Sequence, residues 1–149
     1  MENINELWNN FNKYSNRLSA ALGRTSNIVG EYAEHLAHQF YGGRLLEISG
    51  ASADIESGGK RYQVKSRKTK NGLTTQLNVI RSWDFDFLVV ILFNEHGGVA
   101  KAVELPVETA RSFGKPNKHQ NGWVISTTKK FLNASDARDI TADLEALNS

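Results

Sequence analysis

An α/β fold with a central mixed sheet flanked by helices is the class that the order of hydrophobic periods predicts. Residues 4 to 40 carry apolar side chains at helical spacing, and short alternating or continuous apolar runs follow to position 105. A polar stretch with a final helical pattern closes the chain. Helical stripes and strand faces of this kind must cover one another, and a sheet with helices against it is the layered solution.

The elements can be justified in order. Ile4, Leu7, Trp8, Phe11, Tyr14, Leu18 and Leu22 recur in steps that predict an amphipathic N-terminal helix ended by Gly23. Thr25-Ser26 supplies a cap for a second helix. Its stripe is Ile28, Val29, Tyr32, Ala33, Leu36, Ala37 and Phe40, and Gly42-Gly43 stops it. Arg44 to Ser49 reads as a short strand. Ala53 to Ser57 and Arg61 to Arg67 read as a hairpin around Ser57-Gly58-Gly59. Leu73 to Ile80 suits a strand at Thr74-Thr75 and a helix at Gln76-Leu77-Asn78. The continuous run Phe85 to Phe93 predicts a strand buried on both faces. Asn94 to Gly98 turns the chain into a paired strand, Val99 to Leu105. Pro106 opens a short helix through Phe113, and Gly114 to Gly122 reads as a polar loop. Trp123 to Ser126 is a brief strand, and Ser135 to Leu147 a terminal helix with Ile140, Leu144 and Leu147 on one side.

Composition narrows the function classes. A chain of 149 residues suits one domain with its own core. Cysteine is absent, which excludes a disulfide framework, a thiol nucleophile and a cysteine-based zinc site. The N-terminus lacks the basic start and apolar run of a signal peptide. The longest apolar run, Phe87 to Phe93, is too short to span a bilayer. The expectation is a soluble cytoplasmic protein. Net charge is only +2, yet Lys60, Arg61, Lys65, Arg67, Lys68 and Lys70 put six cations into eleven residues. That cluster suggests a polyanionic partner, although charged strand edges also discourage aggregation.

The chemistry-bearing constellation lies on the hairpin. Gln63 and Lys65 follow Asp54 by nine and eleven positions. Strand alternation puts Gln63 and Lys65 on one face and Tyr62 and Val64 on the other. An acid, an amide oxygen and an ammonium can thus converge on one point. Such a set can hold a divalent metal, since Mg²⁺ takes one or two protein carboxylates and keeps several waters. A lysine on the same face can orient the attacking water or stabilise developing charge.

The helical Gly30-Glu31, then Ala53-Asp54-Ile55, then Tyr62-Gln63-Val64-Lys65-Ser66-Arg67 resemble the PD-(D/E)XK nuclease superfamily, the restriction-endonuclease-like fold. The resemblance covers roughly residues 26 to 93. It implies a restriction-endonuclease-like mixed sheet and Mg²⁺-dependent hydrolysis of nucleic-acid phosphodiesters, with Mn²⁺ as a substitute. Asp54 and Gln63 would hold the metal, Lys65 would be the catalytic lysine and Glu31 the auxiliary helical acid. Arg61, Arg67, Lys68 and Lys70 would bind the backbone of the substrate, double-stranded DNA being the expected one. Gln63 stands where most members have Glu or Asp, but the Mrr-like restriction enzymes carry a Q-x-K variant. Ala53 stands where the eponymous proline would be.

On this reading residues 1–23 form an N-terminal helix available for homodimerisation, 26–93 the catalytic core and 94–149 its β/α completion. The alternatives are a non-catalytic nucleic-acid-binding module of the same fold and a structure-specific, junction-type nuclease. Several candidates also have plain structural readings. On a helical wheel Glu31 falls opposite the apolar stripe, as a solvated acid would, and Glu34 shares that difficulty. Glu56 suits a turn-flanking surface acid. His35 and His38 have zinc-compatible spacing but no third ligand in the sequence. Trp83 and Trp123 suit either base stacking or the core.

Overall fold

The computed structural model describes residues 3–22, 28–46 and 53–148. Helix α1 spans Ile4–Leu22 and α2 spans Ile28–Tyr41, as the 3.6-residue periods predict. The expected terminator Gly23 and the cap Thr25-Ser26 lie outside the described residues. Gly42 and Gly43 end α2 with φ of 71° and 72°, a left-handed conformation in which a Cβ would be strained.

The remaining elements are β1 (Arg44–Leu45), β2 (Ile55–Ser57), β3 (Lys60–Lys68), β4 (Phe87–Phe93) and β5 (Val99–Pro106). They are followed by α3 (Val107–Phe113), β6 (Lys115–Asn117), β7 (Gly122–Val124), α4 (Lys129–Leu132), β8 (Arg138–Asp139) and α5 (Thr141–Asn148). The main sheet has six strands in the order β1-β2-β3-β4-β5-β8. Every neighbouring pair is antiparallel except β3 and β4, which run parallel. The sheet is therefore mixed, mostly antiparallel and flanked by helices.

Central strand β4 is apolar throughout because both of its faces are covered. Leu88, Val90 and Leu92 join one core with Ile80, Ala110, Ile125 and Phe131. Val89, Ile91 and Phe93 join the other with Leu36 of α2 and Leu144 of α5. Each large apolar side chain among them stabilises the fold by roughly 1.5–3 kcal/mol. Stacked Tyr41, Tyr62 and Phe87 extend the second core, with successive ring centroids 4.1 and 5.5 Å apart. Tyr41 Oη donates to Glu104 (2.7 Å), and burial followed by that carboxylate pushes its pKa up.

Four expectations differ from the fold. Arg44 to Ser49 is strand only at Arg44–Leu45 among its described residues. Leu73 to Ile80 is neither strand nor helix. It is an irregular segment tied to Ile125 and Trp123 by backbone hydrogen bonds. Gly114 to Gly122 is not a plain loop, because it contains β6 and leads into β7 as a second, two-stranded sheet. Finally, the terminal helix starts at Thr141 and not at Ser135, since Arg138–Asp139 pairs with β5.

Asp139 accounts for that late start. Its carboxylate accepts from Thr141 N (2.9 Å) and pairs with Lys101 Nζ (2.7 Å). The Lys101 bond, with help from Thr141, holds its pKa down at about 2. A depressed carboxylate contributes stability that is present above its unfolded pKa near 3.9 and lost as pH falls towards 2. The pair is half exposed, so the effect is small and screened. Lys101→Ala is expected to lower the urea midpoint slightly at pH 7, with the difference fading below pH 3 and in high salt.

Candidate active site

β2 and β3 close around Gly58 (φ 58°) and Gly59 (φ 78°), the paired left-handed conformation of a tight hairpin turn. Ile55 pairs with Tyr62, which brings Asp54 beside Gln63. Asp54 Oδ2 accepts from Gln63 Nε2 (2.9 Å) and from the backbone N–H of Val64 (2.7 Å). The predicted pairing of Asp54 with the Gln63–Lys65 strand is therefore present. Gln63 and Lys65 lie in register with Leu88 and Val90 of β4, so they share the face that carries the first core.

Lys65 is half-buried at the edge of that core. Its ammonium donates to Val79 O (3.0 Å) on the irregular segment. Burial pushes its pKa below the ordinary lysine value. Asp54 pulls it back up, Arg81 lowers it again and Glu34 raises it. One of three ammonium protons is used by Val79, which leaves two donors.

The two acids of α2 behave differently from the wheel. Glu31 is buried, since α2 is packed by β2, β3, α5 and α1 and not by one neighbour alone. Glu34 is half-buried, and its charge acts on Lys65. Glu56 pairs with Arg44 (3.1 Å), and His38 Nε2 meets Gly43 O (2.9 Å), which gives both structural partners.

The basic candidates divide by strand parity. Arg61 and Arg67 share the face of Lys65. Arg61 Nη1 pairs with Asp84 (3.2 Å), and Arg67 donates twice to Gln76 O (3.0 and 2.7 Å). Lys68 falls on the opposite face and lines an apolar groove with Leu18, Tyr32 and Phe93. Lys70 is exposed just beyond β3. Trp83 packs on the first core, 5.6 Å from the Trp123 ring.

Periodicity could not reveal the groups brought in by the irregular segment. Its path is held by Thr127, which is fully buried. Thr127 Oγ1 donates to Leu73 O (2.5 Å) and accepts from Thr75 N (2.9 Å). Farther along, Ile80 and Trp123 exchange both backbone hydrogen bonds (2.8 Å each). These ties place the Val79 carbonyl at Lys65 and bring the charge of Arg81 to bear on it.

The donor chemistry suits a hard cation modestly. Two hydrogen bonds occupy Asp54 Oδ2, leaving Oδ1, and Gln63 turns its nitrogen to Asp54, leaving Oε1. Among the described residues no group of three or more His, Asp or Glu side chains is placed to hold a metal. Two oxygen donors with one formal charge are within what Mg²⁺ accepts, because water fills its remaining positions.

The chain matches no protein-family model and no curated protein. No described helix is long and apolar enough to cross a membrane.

Proposed function

We propose that this protein is a Mg²⁺-dependent nuclease of restriction-endonuclease-like fold that hydrolyses DNA phosphodiesters. The observation that carries the reading is the convergence of Asp54, Gln63 and Lys65 on one hairpin, with Asp54 2.9 Å from Gln63 and its charge acting on Lys65. Asp54 Oδ1 and Gln63 Oε1 would hold the ion. When bound, Mg²⁺ lowers the pKa of a coordinated water and polarises the phosphoryl group. Lys65 points its remaining protons at the phosphate oxygens and stabilises the charge that grows as the water oxygen bonds to phosphorus. The attacking water would release its proton to bulk solvent, the bond to the leaving sugar oxygen would break, and that oxygen would take a proton from solvent. Burial of Lys65 strengthens such an interaction, because the competing solvent is reduced.

A second reading has its own support. With Gln63 in place of an acid, the site carries one formal negative charge fewer than a two-carboxylate site. A non-catalytic nucleic-acid-binding module would keep the fold and bind DNA equally with and without Mg²⁺. Incubation of supercoiled plasmid, linear DNA and RNA with Mg²⁺, Mn²⁺ or EDTA separates the two. Metal-dependent cleavage is the expected result. Salt-sensitive binding without cleavage would transfer the assignment to the module.

Cutting both strands at one locus needs two sites, and we propose that α1 supplies the dimer contact. Leu7, Phe11, Tyr14 and Leu18 form an exposed apolar stripe, with Phe11 61% and Tyr14 57% accessible. Their spacing of four, three and four is palindromic. A two-fold axis between positions 12 and 13 exchanges Leu7 with Leu18 and Phe11 with Tyr14. The stripe is therefore self-complementary in an antiparallel pair. Glu6 and Arg17 lie on the same flank of the stripe and meet across that pair within one turn. Light scattering at micromolar concentration should give twice the chain mass for the wild type and the single mass for Phe11→Glu. A wild-type monomer would refute the contact.

A further inference from the structure

A concavity of mixed polar and apolar lining lies beside the segment whose Val79 carbonyl holds Lys65. It encloses about 320 Å³ between the segment that follows Val79 and the β6–β7 hairpin. Arg81, Asn117, Lys118, Asn121 and Trp123 line it. Two of these are cations, two are amides, and the Trp123 ring provides an apolar wall.

The hairpin is fixed to the candidate site and does not hang from it. Arg81 Nη1 donates to Gln120 O at the tip (2.7 Å). Gly122 lies so close to the segment that a Cβ would come within 2.5 Å of Ile80 O and 2.6 Å of Val79 Cγ2. Val79 is the residue whose carbonyl holds Lys65. Asn121 adopts a φ of 53°, and Asn117 Oδ1 accepts from Gln120 N (3.1 Å), so the tip has a defined shape. Lys118 at the tip is exposed. Arg81 is two residues from Val79, a reach of at most ~7 Å along the chain, and its charge is felt at Lys65.

We propose that this pocket binds the sugar-phosphate unit next to the one at Lys65, with Arg81 and Lys118 on the phosphate and Trp123 against the sugar. The hairpin thereby becomes the positioning element for the strand being cut. The inference rests on the nucleic-acid reading above and adds the subsite that sets the substrate's path. Successive phosphates on one strand advance only ~3.4 Å along a duplex axis, so a cation carried on the segment that holds Lys65 suits a neighbouring unit. Charge complementarity favours this occupant: Arg81 and Lys118 line the pocket, and Lys65 is held by the carbonyl of Val79, two residues before Arg81. Arg67 and Arg81 each keep guanidinium donors beyond those they use on the protein.

The test is fluorescence anisotropy of a labelled duplex oligonucleotide against the full chain, titrated at several salt concentrations without divalent metal. Lys118→Gln and the double variant Arg81→Gln/Lys118→Gln are compared with the wild type and with Lys13→Gln, a surface control on α1. Lys118→Gln lies at an exposed tip and leaves the fold intact, which guards against misfolding of the double variant. The double variant is expected to bind at least tenfold more weakly, with a log-log salt slope smaller by roughly two, and Lys13→Gln to be unchanged. Wild-type binding that both pocket variants match in affinity and slope would overturn the subsite while leaving the nucleic-acid reading in place. Absence of any salt-sensitive binding by the wild type would overturn both.

Discussion

Lys65→Met is expected to abolish metal-dependent cleavage while raising thermal stability. The loss should be of the order of 10²–10⁴-fold, the range for removing a positioned charge or proton donor from a transition state. The stability gain has a separate cause. Burial lowers the Lys65 pKa in the folded chain, so the unfolded chain holds that proton more tightly. Protonation therefore costs the folded state. The cost is fully present below the folded pKa and vanishes as pH rises through the unfolded value near 10.4. Methionine keeps the length and apolar stem without the charge, at the expense of the bond to Val79 O. A small net gain at pH 7 is expected, as when a functional group held at a cost to stability is replaced. Calorimetry at pH 7 and pH 10.5 checks it, since the gain should shrink at the higher pH. A variant that is both less stable and fully active would make Lys65 an ordinary structural lysine.

Asp54 should separate structure from chemistry through two substitutions. Asp54→Ala removes the acceptor of the Val64 N–H and of Gln63 Nε2. Val64 is buried, so an unpaired N–H there costs about 1–3 kcal/mol. Asp54→Asn keeps an oxygen for Val64 and loses only the charge. Cleavage is expected to fall by at least 10²-fold in both, whereas the urea midpoint should fall clearly in the alanine variant alone. Equal destabilisation by Asn and Ala would mean that the carboxylate charge, and not its acceptor role, holds the hairpin. Full activity of Asp54→Asn would remove Asp54 from the site.

The hairpin was legible in the sequence because its signals are local. Gly58-Gly59 supplies the turn, and the period of two places Gln63 and Lys65 on one face. The buried strand from Phe87 was equally plain from its continuous apolar run. The parts that were not legible depend on distant partners. Arg138–Asp139 is strand because β5 offers a free edge, and nothing in Ser135 to Leu147 announces it. Lys115-Pro116-Asn117 has no alternation, and its ladder exists because Ile80 and Trp123 pair across forty-odd residues. The Val79 carbonyl reaches Lys65 through that same pairing and through buried Thr127. Helical-wheel reasoning failed at Glu31 because a wheel assumes one packed face, and α2 meets several neighbours. The half-burial of Glu34 likewise arises from the packing of α2 and not from its place on a wheel.

The most direct test of the central claim is cleavage of supercoiled plasmid in Mg²⁺ by the wild type, measured beside Lys65→Met at matched concentrations. Nicking or linearisation by the wild type, suppressed by EDTA and at least 10²-fold slower in Lys65→Met, is the predicted result. Equal cleavage by the two proteins, or none by either, would contradict the assignment of Asp54, Gln63 and Lys65 as a hydrolytic site.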